Sequence, residues 1–241
     1  MNRRLAIALF WAAATAASGA DPHELWERAV KAKGGRERLR GVHALAVYLK
    51  PANVVMAGPL QSCLFVFPDR YFEWRGRGSQ AATASLIVDA GANRVSRDAN
   101  GRPRTTRPFT QTDRDQLSLY RLVYLLETAG AQPEPLAVDH NSLMVQLGGR
   151  VFRLFLNKSN LPARVYLPSE PGLKDGPIND YRMERYHDFQ GISLPARVTS
   201  MVGPVTQWTW DVDYEIDPTY NPKLFARQAN LDDGPEPWRL R

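Results

Sequence analysis

The chain has 241 residues, a formal charge of +6 and 44% hydrophobic residues. That is too apolar for a disordered polymer and enough for one sizeable core. The basic residues are scattered, with no dense block interleaved with aromatics, which argues against nucleic acid as a partner and leaves a mild pull toward anionic lipid headgroups or an acidic protein.

Arg3 and Arg4 precede an apolar run from Leu5 to Ala17, and Ser18-Gly19-Ala20 places small residues before Asp21-Pro22. This is the layout of an export signal cleaved near Ala20. The run is shorter than the ~20 residues of a comfortable membrane span, although an uncleaved anchor is the alternative. Export implies an oxidising compartment, yet the single cysteine, Cys63, can form no intramolecular disulfide. No cysteine follows the cleavage site to carry a lipid anchor. Cys63 itself lies in the strand-like run Cys-Leu-Phe-Val-Phe and reads as a buried thiol rather than a nucleophile. Residues 21–225 are expected to form one domain, with an irregular tail over 226–241.

Asp21 to Lys33 reads as a helix. Asp21 is a fair N-cap, Pro22 suits the first helical position, and Leu25, Ala29 and Ala32 recur at helical spacing before Gly34-Gly35 ends it. From His43 the period becomes two, with Leu45, Val47 and Leu49 alternating with Ala44, Ala46 and Tyr48. Leu64 to Phe67, Tyr71 to Trp74, Leu86 to Val88 and Arg94 to Arg97 read as further strands. Asn100 to Thr112 is polar, rich in Pro and Arg, and reads as a loop. Thr112 to Ala129 returns to helix, with Leu119, Leu122, Val123 and Leu126 on one face. Tyr120, Tyr124 and Leu125 widen that face nearly all round, so this helix needs cover on more than one side. It is a candidate plug or lid.

The rest is strand-like: Leu143 to Leu147, Val151 to Leu156, Ala163 to Leu167, Tyr181 to His187, Ala196 to Met201 and Val205 to Ile216. The last is the clearest. Thr206, Trp208, Trp210, Val212, Tyr214 and Ile216 share one face, and Val205, Gln207, Thr209, Asp211, Asp213 and Glu215 the other. Such a strand belongs to an antiparallel sheet with one solvated side. At ~3.3 Å per residue it spans ~40 Å, long enough for a large curved sheet. Leu-Pro-Ala-Arg-Val occurs twice, at Leu161 to Val165 and Leu194 to Val198, each after turn residues. Proline suits the start of a strand, so both copies are expected to open strands of one meander.

Several short motifs now coincide. A helix ending in Gly-Gly is followed by a meander, then by Tyr186-His187-Asp188-Phe189-Gln190-Gly191-Ile192-Ser193-Leu194-Pro195, an amphipathic strand, and Asn221-Pro222-Lys223-Leu224-Phe225. This resembles the bacterial periplasmic lipoprotein-carrier superfamily, the LolA/LolB-like proteins and their outer-membrane lipoprotein-sorting relatives, from about His23 to Phe225. The resemblance implies a mainly β (α+β) fold: a large curved antiparallel sheet forming a half-open barrel, covered by the N-terminal helix and a central amphipathic helix. It also implies an apolar cavity for acyl chains, reached when the helix over Thr112 to Ala129 shifts aside. Dedicated lipoprotein carriers latch that lid through an arginine. No motif here marks one, so the implied ligand is a lipid or acylated ligand in general.

The expected lining is Leu45, Val47, Leu86, Val88, Leu122, Leu126, Phe152, Leu154, Leu156, Trp208, Trp210, Val212 and Tyr214. The same side chains could equally make a closed core. Catalytic signals are missing from the pattern: no Gly-x-Ser-x-Gly elbow, and four histidines without ligand spacing. Asp211, Asp213 and Glu215 fan out along a strand face rather than converging on an ion. The expectation is a non-enzymatic periplasmic monomer without cofactor or metal that binds a lipid or acylated protein ligand and makes at most transient contact with the envelope membrane or a transporter. An envelope sensor or scaffold binding a partner protein is the alternative.

Overall fold

A computed structural model describes residues 21–52, 60–68, 70–76, 84–88, 93–97, 103–108, 110–126, 134–167 and 179–225. The expected export signal at 1–20 and the tail at 226–241 lie outside them. Helix α1, Pro22–Lys33, starts as its sequence demands: the Asp21 side chain accepts from the His23 N–H at 3.0 Å. Gly34, at φ 128°, ends it. A short helix α2, Arg36–Arg40, follows at once and buries Leu39. Gly34-Gly35 ends α1 as expected, and the pair also forms a sharp corner between two helices.

Thirteen strands among the described residues form one sheet. They are β1 Ala44–Pro51, β2 Leu60–Val66, β3 Arg70–Gly76, β4 Ala84–Val88, β5 Asn93–Arg97, β6 Pro103–Pro108, β7 Glu134–Asp139, β8 Ser142–Leu147, β9 Arg150–Leu156, β10 Pro162–Tyr166, β11 Asn179–Phe189, β12 Ile192–Val202 and β13 Val205–Ile216. Their order is β6-β5-β4-β3-β2-β1-β13-β12-β11-β10-β9-β8-β7. Two antiparallel meanders therefore meet where the first strand pairs with the last, with Val47 opposite Tyr214. The sheet is mainly antiparallel β, curved and not closed: β6 and β7 stand at its two edges. The one long crossover joins those edges and carries helix α3, Gln111–Tyr124. Topology thus lays α3 across the open side of the half-barrel.

Three expectations need correction. The segment Asn100 to Thr112 is not all loop, because Pro103–Pro108 pairs with β5 as an edge strand. Proline carries no N–H for the ladder, which an outermost strand tolerates and which makes it read as loop. Pro135 sits in the opposite edge strand in the same way. Helix α3 starts two residues earlier than expected, since Thr110 and not Thr112 is the cap: Asp113 N–H reaches Thr110 Oγ1 at 3.4 Å, and Asp113 Oδ2 accepts from Thr110 N at 2.9 Å. It also ends sooner, at Tyr124, with Leu126 turned to φ 66°. Third, Pro162 opens β10 as expected, but Pro195 lies four residues into β12. It is tolerated there because the β12–β13 ladder starts only at Arg197–Asp211.

The two faces carry different cores. The concave face gathers Leu45, Val47, Leu49, Cys63, Phe65, Phe152, Leu154, Val165 and Val212 with the apolar sides of α1 and α3. The convex face holds a smaller cluster of Ala44, Ala46, Leu64, Phe72 and Trp74, on which Tyr220 and Phe225 of the C-terminal strap pack. Elsewhere that face carries ion pairs and a stacked Phe155–Tyr166 pair: Arg197 pairs with Asp211 at 2.7 Å, and Arg164, above those rings, grips Asp180 through Nε and Nη2. Two motif pieces far apart in sequence also meet. A Cβ on Gly34 would lie 2.4 Å from the Gly191 carbonyl, and one on Gly191 would strike the Arg38 guanidinium, whose Nη1 donates to Gly191 O at 3.0 Å.

Candidate functional site

Ten of the thirteen expected lining residues fall in a single buried cluster: Leu45, Val47, Leu122, Leu126, Phe152, Leu154, Leu156, Trp210, Val212 and Tyr214. The strand periodicity explains why. Leu45 and Val47 pair across β1–β13 with Ile216 and Tyr214, and paired residues share a face. Leu86 and Val88 stand at register positions opposite Glu73 and Tyr71; their side chains lie outside the described residues. Trp208 departs from expectation. It is 37% exposed, paired with Ser200 at the last position before a register shift toward the end of the β12–β13 hairpin. The burial alternation of β13 begins only at Trp210.

Helix α3 fills the concave face. Leu119, Leu122, Val123, Leu125 and Leu126 are buried, and its tyrosines interleave with rings from the sheet. Tyr120 meets Phe65, Tyr71 and Tyr181 at 5.9–6.2 Å between centroids, and Tyr124 meets Phe65 and Tyr214 at 5.9 Å. The helix is tied by polar contacts at both ends, with apolar contact and the Gln116–Tyr181 hydrogen bond between them. At its start Gln111 Nε2 donates to Gly148 O at 3.1 Å, and Asp115 pairs with Arg150 at 3.3 Å. At its end Arg121 donates to the Pro68 carbonyl.

The last tie is the least expected. Lys33, the final residue of α1, is 0% exposed, and its Nζ donates to the Tyr124 carbonyl at 2.5 Å. That carbonyl is one of the helix-end oxygens left without an intrahelical partner, and a cation suits the negative end of the helix dipole. The Tyr186 ring lies 5.4 Å from the same nitrogen. Burial pulls the Lys33 amine down to about 7. The buried amine at the end of α3 belongs to a lysine. It sat in the helix-end pattern, where a basic residue usually faces solvent, so nothing in the sequence singled it out.

A polar group inside the apolar face also escaped the sequence reading. On the β2–β3 hairpin, Tyr71 Oη donates to Glu73 Oε2 at 2.6 Å, Cys63 Sγ lies 3.2 Å from Tyr71 Oη, and Gln61 Nε2 is 3.5 Å from Cys63 Sγ. Opposite them, Gln116 Nε2 of α3 donates to Tyr181 Oη at 3.0 Å. Burial pushes the phenols of Tyr71, Tyr120, Tyr124 and Tyr181 up, so they stay neutral. Among the described residues no acceptor meets the buried Trp210 Nε1, and an N–H left unpaired in an interior costs ~1–3 kcal/mol. The alternation of Gln61-Cys63 and Tyr71-Glu73 with apolar neighbours was the available signal. Among the described residues no three His, Cys, Asp or Glu side chains are grouped to hold a metal, and no helix is long and apolar enough to cross a membrane.

No protein-family model and no curated sequence matches the chain. The fold does match solved structures. A LolA superfamily protein from Nitrosomonas europaea shares 13% identity at a TM-score of 0.52, over 87% of this chain and 99% of its own. An outer membrane lipoprotein-sorting protein domain from Vibrio parahaemolyticus gives 8%, 0.46, and 86% and 98% coverage. A DUF1329 family protein from Desulfovibrio piger gives 11%, 0.48, and the same 86% and 98%. The chain therefore has a LolA-like fold, on the first of these matches.

Proposed function

We propose that the protein is a non-enzymatic periplasmic carrier or buffer that takes a lipid or acylated ligand against the concave face beneath α3. The observation that carries this reading is the build of that helix: buried apolar and aromatic contact along its length, with polar ties at its two ends and the Gln116–Tyr181 hydrogen bond between them. Lifting α3 leaves its polar anchors in water and uncovers the faces of Leu45, Val47, Phe152, Leu154 and Val212. An acyl chain occupying the same space restores the burial, at ~0.8 kcal/mol per methylene. The LolA-like fold supports the reading, since similar folds occur in proteins named for lipoprotein sorting. Export through the segment at 1–20 would deliver the protein to such ligands. In this reading it works as a monomer, with transient contact to the envelope membrane or a transporter.

The test is native mass spectrometry with lipid extraction of protein purified from the periplasm, alongside titration with a fluorescent fatty acid. Co-purifying lipid, lost in Val212→Asp, is the expected result. Val212 is buried on the concave face beside Tyr214, so a carboxylate there opposes any acyl chain. Normal uptake by a folded Val212→Asp variant would overturn the cavity assignment.

A further inference from the structure

Between α3 and the sheet a cavity of about 20 Å³ remains, bounded by Leu49, Phe65 and Val198 and by Gln61, Cys63, Tyr120, Tyr124, Tyr181 and Trp210. That is room for about one water molecule. Trp210, one wall of it, is 8% exposed and its Nε1 meets no acceptor among the described residues. A buried indole N–H on a residue that lines such a space is a donor suited to an oxygen placed there. On the sheet side the polar network of Gln61, Cys63, Tyr71 and Glu73 keeps this part of an otherwise apolar face hydrophilic.

We propose that this spot recognises an uncharged carbonyl, the ester or amide group at the head of an acyl chain, with Trp210 Nε1 as its donor. The inference rests on the carrier reading above and names the part of the ligand that the pocket reads. Trp210 and Gln61 stand on the sheet, so they stay in place when Tyr120 and Tyr124 leave with α3. The charge of the ligand follows from the walls. None of the residues bounding the cavity is cationic, and the Glu73 carboxylate lies in the same network through Tyr71. A free carboxylate or phosphate would be buried without a counter-charge, whereas an ester or amide oxygen needs only a donor. Glycerolipid esters and protein-linked acyl groups share this chemistry.

The experiment compares methyl palmitate, palmitate and hexadecane as ligands of the full chain, in the parent and in Trp210→Phe. The expected order is ester first, with the ester preferred over the hydrocarbon by ~3–10-fold and that preference lost in Trp210→Phe. Infrared spectroscopy of methyl palmitate labelled with ¹³C at the carbonyl gives a readout on the unaltered protein: a stretch shifted to lower frequency on binding marks the hydrogen bond. Methyl palmitate and diacylglycerol binding alike assigns the ester itself, and an N-palmitoyl peptide binding best assigns the acylated-protein source. Equal binding of ester and hydrocarbon with an unshifted carbonyl overturns this proposal, leaves the carrier reading standing and reduces the cavity to a water site. Tight binding of palmitate over its ester overturns it too. Binding of none of the three by the parent overturns both readings.

Discussion

Lys33 shows how one residue links two helices and makes the link depend on pH. The folded protein holds its amine at about 7 because burial strips the charge of water, whereas an unfolded lysine titrates near ~10.4. Between those values the unfolded chain binds more protons, so stability rises with pH from about 7 to 10, and the cost of burying the cation is fully felt below that window. The slope from this group alone approaches ~1.4 kcal/mol per pH unit. Lys33→Met is expected to flatten it, as urea-unfolding midpoints between pH 6 and pH 9 would show; a variant that kept the parent's slope would remove Lys33 from this role. The same substitution deletes the donor to Tyr124 O. A residue of this kind is invisible to periodicity, because lysine at a helix end matches the dipole rule equally well in water.

At the scale of elements, the docking of the α1–α2 corner onto the β11–β12 turn fixes how the N-terminal helices sit on the sheet. Gly34 and Gly191 both hold positive φ, and each faces an atom that leaves no room for a Cβ. Gly191→Ala is expected to cost about 1–3 kcal/mol through backbone strain, before the added clash with Arg38, and to lower the unfolding midpoint accordingly. An unchanged midpoint would mean that the corner does not bear on the turn. The element-level pattern was largely legible in the sequence: period two identified the β1 and β13 faces, and the tyrosine-rich α3 announced that it needed cover. What escaped has physical causes. Edge strands such as β6 and β7 carry proline because their outer N–H groups have no ladder to join, so composition mimics a loop. Trp208 shares both parity and register with Trp210, so periodicity alone does not show that the strand has run past the core by that position. The cap of α3 moved by two residues because Thr110 and Thr112 offer the same hydroxyl and only the reciprocal Asp113 bond selects between them.

At the scale of the molecule, a half-barrel whose cover is part of its own crossover would, in the proposed carrier role, exchange one apolar partner for another without dissolving the sheet. The join between β1 and β13 lies far from both edges, and the C-terminal strap seals the convex side over Leu64 and Phe72. In that role, motion of α3 would be confined to the open side. That arrangement leaves two edge strands, β6 and β7, the second with α1 packed against it. A long flat rim there would offer a template on which a second molecule could add its own strand, and a transiently opened protein would seed fibres. Pro103, Pro108 and Pro135 interrupt the rims with positions that cannot donate to an incoming chain. Replacing Pro135 with Val is therefore expected to speed thioflavin-positive aggregation, most of all in Lys33→Met, where α3 is less firmly held; aggregation at the parent's rate would show that the rims are guarded by something else. The prolines that disguised these strands in the sequence would then be the feature that lets the protein open repeatedly and remain a single soluble molecule.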